Sequence, residues 1–149
     1  MRDIFKKVCK ASTLLMGLVT VFLLCSPVKA QNWEEWEKGV IALQKGEYEL
    51  AKNVLMPLAE DGYVLSILTV GAMYEEGLGW DQNSIEAYKW YSVGKSLSDV
   101  NGDETTLTMA KKVIAKLSSK MTSDELAKAN LLVMKFLKEK CKQAGGSMC

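Results

Sequence analysis

Residues 63–102 constrain this chain more than any other stretch. Residues 64–76 are apolar or small at helical spacing, and Gly77-Leu78-Gly79 stops that helix, because glycine takes the left-handed cap conformation cheaply. Asn83 or Ser84 can cap a second helix carrying Ile85, Ala87, Tyr88, Trp90 and Tyr91. A helix–turn–helix unit of about 40 residues cannot bury its own apolar face, so neighbouring units must stack on it. The chain therefore reads as all-α.

The flanking segments repeat the pattern. Residues 31–46 place Trp36, Val40 and Leu43 on one helical face, with Trp33 beside Trp36, and Gly46 ends the helix. Residues 47–60 follow with Tyr48, Ala51, Leu55 and Leu58 as the next stripe; Pro57 predicts a kink or an early end there. Gly39 aligns with Gly71, and Ala51 with Ala87. Residues 103–120 form a helix with Leu107, Ala110, Val113, Ile114 and Leu117 on one side, and Ala110 stands 39 residues after Gly71. Thr122 or Ser123 caps a last helix that runs to about Lys140, and its Ala127 stands 40 residues after Ala87. Three helix pairs result, at about 33–62, 63–102 and 103–141, followed by a short tail.

Within residues 63–102, Gly71, Met73, Tyr74, Gly77, Gly79, Ala87, Trp90, Tyr91 and Gly102 fall in order on one repeat pattern. In these residues the chain resembles the Sel-one-like repeat family, a relative of the tetratricopeptide repeats. Trp80 departs from the pattern, which prefers Val there, and so does Asn83, where it prefers Asp. The resemblance implies a short right-handed α/α solenoid of about three pairs, with Gly71, Tyr74, Gly77, Gly79, Ala87, Trp90 and Tyr91 as structural positions.

Residues 1–30 stand apart from the repeats. Arg2, Lys6, Lys7 and Lys10 form a basic start, residues 11–25 an apolar run, and Val28-Lys29-Ala30 a small-residue cleavage site. That is the layout of a secretory signal. The run of about 15 residues is shorter than the ~20 needed to span a bilayer. The expectation is export to the periplasm, or beyond the cell, of a domain covering residues 31–149 with no membrane span. From Gln31 onward there are 14 basic and 17 acidic side chains, a net charge of −3, with no Arg and no His. A mildly acidic chain without arginine is a poor nucleic-acid binder.

Little catalytic chemistry is available. The absence of His removes serine–histidine, cysteine–histidine and histidine–metal sites. Ser92-Val93-Gly94-Lys95 matches the S-x-x-K nucleophile motif, but its S-D-N and K-T-G companions are missing. Glu34-Glu35 and Glu75-Glu76 are adjacent on helices and point about 100° apart, so neither forms a working acid–base pair. Gly77-Leu78-Gly79 follows no strand and is no nucleotide loop. No enzymatic activity, cofactor or metal is expected.

The family resemblance implies instead an adaptor or regulator that binds another protein on the concave face lined by the first helix of each pair. On that face the candidates are Trp36 and Val40 in the first pair, Thr69, Met73 and Glu76 in the second, and Met109 and Lys112 in the third. Two other readings are an immunity-type inhibitor of an exported effector and a β-lactam-binding enzyme using Ser92. Two cysteines, Cys141 and Cys149, lie in the exported part, and an even count there allows a disulfide. The cysteine-rich members of the family pair cysteines at this separation, which implies a Cys141–Cys149 bridge.

Overall fold

A computed structural model describes residues 28–143. Six helices follow one another: α1 Val28–Gln44, α2 Tyr48–Glu60, α3 Val64–Glu76, α4 Ser84–Asn101, α5 Glu104–Ser118 and α6 Ser123–Gln143. No strand occurs among the described residues. The expected signal lies outside them except for its last residues, Val28 to Ala30, which are already in α1.

The helix starts are where side chains can satisfy free backbone N–H groups. The Asn83 carboxamide oxygen accepts from the N–H of Ile85 and Glu86 at 3.0 and 3.1 Å. Asp103 caps α5 by accepting from Thr106 N–H at 3.1 Å; the Thr106 side chain first, and its N–H second, hold the Asp103 carboxyl below the usual range. Thr122 and Glu125 form a reciprocal capping box at the head of α6: Thr122 N–H donates to Glu125 at 2.8 Å, and Glu125 N–H donates back to Thr122 Oγ1 at 3.3 Å. These backbone and hydroxyl donors lower the Glu125 pKa.

The expected early end at Pro57 does not occur: α2 continues through it to Glu60. Pro57 falls in the last turn of α2, where its missing N–H costs one bond near the frayed end rather than one in mid-helix.

Close approach sets the pairing of the first four helices. A Cβ on Gly39 would sit 2.5 Å from Leu55 Cγ, so α1 and α2 meet across a missing side chain. Gly79 has φ +79, and a Cβ there would also press to 3.1 Å from the Tyr48 carbonyl oxygen, so the α3–α4 turn admits only glycine. Just beyond it, Trp80 folds back and stacks on Tyr74 with centroids 4.5 Å apart.

Helices α1 to α5 pack sequentially, each against the next. The core joins Ala42 of α1, Ala51, Leu55 and Ala59 of α2, Ile67, Val70 and Met73 of α3, and Trp90 and Val93 of α4. A smaller cluster links Ala87 and Tyr91 of α4 to Leu117 of α5.

Helix α6 departs from the expected third pair. It packs on α4 and barely touches α5. Its Val133, Phe136 and Leu137 lie on the main core, and Phe136 meets Trp90 edge-on at 5.4 Å. Near its end, Phe136, Glu139, Lys140 and Gln143 share a recess with Glu60 of α2. Thus α6 lies over α4 and its end comes near Glu60 at the end of α2. The turn before it is also different: the other four inter-helix turns each hold a positive-φ glycine, and residues 119–122 hold none.

Candidate partner-binding face

Polar contacts tie α1 to α3 and α3 to α5. Trp36 of α1 donates its indole N–H to Thr69 Oγ1 of α3 at 3.2 Å, and Thr69 donates onward to the Leu65 carbonyl at 2.7 Å. Between α3 and α5, Glu75 is the bridge. One of its carboxylate oxygens accepts from Lys116 Nζ at 3.0 Å, and the other accepts from the Tyr91 hydroxyl at 3.2 Å. Burial first, and the Glu75 charge second, push the Tyr91 hydroxyl well above the ordinary tyrosine range. Three helices are locked at this junction.

Next to it, an open apolar recess of about 310 Å³ lies between α3 and α5. Leu68, Thr69 and Ala72 form one wall, Met109 and Val113 the other, and Tyr91 the floor. Its volume is at the bottom of the range for small-molecule pockets, about 300–1,000 Å³. It suits one apolar side chain entering from outside better than an enclosed cofactor. Met109 at its rim is 61% exposed. On α1, Trp33 is half exposed and rests on Trp36 with centroids 4.9 Å apart. Trp36, on which Trp33 rests, is the link from α1 to Thr69 at the recess wall.

The sequence candidates divide against this geometry. Thr69 and Met109 line the same recess, and Trp36 reaches it through its bond to Thr69. Glu76 and Lys112 are exposed on α3 and α5 but do not line the recess, and Val40 is half-buried on α1. Met73 is corrected: it is 1% exposed, inside the main core, and cannot meet a partner. Helix α3 is surrounded by α1, α2, α4 and α5, so a step of four residues from Thr69 rotates Met73 about 40° into the core.

Leu68, Val113 and the floor residue Tyr91 were not among the candidates. The i, i+4 pairs Leu68/Ala72 and Met109/Val113 were the available signal. Ser92 and Lys95 are half-buried on α4 and are not hydrogen-bonded to each other.

A larger recess of about 450 Å³ lies at the turn edge, among Asn32, Asp61, Tyr63, Ser98, Asn101 and Asp103. Asp103 is already committed there to capping α5. Among the described residues no helix is long and apolar enough to cross a membrane. Cys141 is half-buried near the end of α6, and Cys149 lies outside the described residues. Set against family models, characterised proteins and solved structures, the chain finds no match, so the face must be judged on its own geometry.

Proposed function

We propose that this chain is a non-enzymatic interaction module, exported to the periplasm or the cell exterior, that holds a segment of another protein on its α1/α3/α5 face. The observation that carries the reading is the apolar recess between α3 and α5, rimmed by exposed Met109. Trp and Met are favoured in docking surfaces, where they supply large apolar contact with few rotamers or with adaptable ones. The recess would receive one apolar anchor side chain of an extended or helical segment, while Glu76 and Lys112 select its flanking charges.

The same reading takes the helix pairs as Sel-one-like units in a short right-handed solenoid. It is supported by two coincidences. Ala51 and Ala87, aligned in the sequence, are both fully buried, and Gly39 and Gly71 each face the second helix of their own pair, on Leu55 and Tyr91.

A photo-crosslinking side chain placed at Met109, with Glu49 on the exposed side of α2 as control, tests the face in cells carrying the native gene. A single adduct at Met109 that disappears with Val113→Asp or Lys112→Glu, but survives Glu49→Lys, is the expected result. Adducts at residue 49 and none at residue 109 would overturn the proposal.

A further inference from the structure

Charge is unevenly spread over the fold. Residues 31–103, through the end of α4, carry 13 acidic and five basic side chains. Residues 104–143, comprising α5 and α6, carry nine lysines and four acids. The two parts stand at −8 and +5.

Two exposed helix faces concentrate this difference, and both also carry apolar side chains. On the side of α6 turned away from α4, Leu131 is 66% and Met134 69% exposed. With Ala127 they form an i, i+4, i+7 stripe, and Lys128, Lys135 and Lys138 flank it. None of those lysines is in an ion pair among the described residues. On the outer side of α1, Trp33 and Ile41 are exposed, with Glu34 and Glu37 around them. Glu35 is paired with Lys38 at 2.6 Å, whereas Glu34 and Glu37 are in no ion pair.

We propose that the α6 face of one copy docks on the α1 face of another. Each face offers what the other lacks. Leu131 and Met134 would meet Trp33 and Ile41, and the three lysines would meet Glu34, which shares Lys38 with Glu35, and Glu37. The lengths agree: 21 residues of α6 span about 31 Å and 17 of α1 about 25 Å at 1.5 Å per residue. Association of α6 with α6 would set lysine against lysine, and α1 with α1 glutamate against glutamate. The contact is therefore between unlike faces, and repeats head to tail into a ring or an open chain. The apolar, basic side of α6 taken alone also fits an anionic lipid surface. The complementary acidic face on α1, and the −8 carried by residues 31–103, favour a second copy.

The test is sedimentation velocity of protein produced from the full 149-residue sequence and purified from the soluble fraction, over ~10 µM to ~1 mM. Wild type is expected to form concentration-dependent oligomers that weaken as salt rises from about 50 to about 500 mM. The α6 reversal (Lys128→Glu, Lys135→Glu, Lys138→Glu) and the α1 reversal (Glu34→Lys, Glu37→Lys) should each weaken association by about tenfold or more. Mixing the two reversed proteins should restore it, because acidic α6 then meets basic α1. That recovery cannot come from misfolded variants. A wild-type monomer throughout, association unaffected by either reversal, or no recovery on mixing would each overturn the proposal. So would sedimentation with vesicles of anionic lipid by a protein that stays monomeric.

Discussion

Trp90 is the hinge pin of the layer that α6 adds, and replacing it by alanine tests the packing directly. The indole is 3% exposed and meets Phe136 of α6 edge-on at 5.4 Å. A buried aromatic of this kind covers about 150–250 Å². At ~25 cal/mol per Å² its removal forfeits about 4–6 kcal/mol of burial. Two features lower that figure. Lys89 lies over the ring, its Nζ 4.3 Å from the centroid, and its aliphatic stem can settle into part of the space. The buried indole N–H also has no hydrogen-bond partner, and deleting it relieves a penalty of about 1–3 kcal/mol. Trp90→Ala should therefore cost about 3 kcal/mol, the low end of the range for such truncations. That is a large share of the ~5–15 kcal/mol available to a domain. Trp90→Phe keeps most of the ring and removes the orphaned N–H, so its cost should stay below about 1.5 kcal/mol. Urea unfolding followed by circular dichroism at the helix band measures both. In a double-mutant cycle, Phe136→Ala should couple to Trp90→Ala by about 0.5–1.5 kcal/mol. A Trp90→Ala cost below about 1 kcal/mol, or zero coupling to Phe136, would show that α6 does not pack on α4 as described.

Tyr91 should be the last tyrosine to ionise: in an alkaline absorbance titration, Tyr91→Phe should remove the highest-pH step, and losing its bond to Glu75 should cost about 1 kcal/mol. Asp103 has a folded pKa below its unfolded one, so the stability it contributes is present above the unfolded value and lost as pH falls through the folded value. Asp103→Asn, which keeps a capping oxygen but no charge, should flatten the acid limb of a melting-temperature profile; an unchanged limb would show that the carboxylate charge has no role. If Cys141 and Cys149 are bridged, protein isolated without reductant should take up no alkylating label at either until reduced, and two labels before reduction would refute the bridge.

Much of the local structure was legible because it is dictated by a few side chains. Asn83 and Thr122, both among the cap candidates in the sequence, satisfy N–H groups that a helix start leaves open at α4 and α6; Asp103 and Glu125 do the same and went unread. The core positions Ala51, Ala87 and Trp90 followed from apolar spacing and are buried. The misreadings concern surroundings. A helical stripe says which side of a helix is covered, not by what. For Trp36 and Met109, on α1 and α5, the side read as open is at least partly so. Met73, four residues on from Thr69, turns instead into the core shared with α2 and α4.

The placement of α6 follows the same logic and bears on function. Val133, Phe136 and Leu137 form a stripe that would serve equally well against α5 or against α4. What separates the two outcomes is the turn. Elsewhere the turn holds a positive-φ glycine, and the next helix packs back against the last. Between α5 and α6 the chain passes through Ser119, Lys120, Met121 and Thr122 with no such residue, and α6 leaves toward α4. There α6 covers Trp90, so this part of α4 is closed by the chain itself. The first-helix side keeps its recess open, with the Glu75–Lys116–Tyr91 junction holding α3, α4 and α5 at fixed spacing behind it. Side chains fixed in this way present a partner with a preorganised surface, so little ordering cost falls on binding. If α6 were detached by Trp90→Ala, the recess between α3 and α5 should persist, because none of its walls comes from α6.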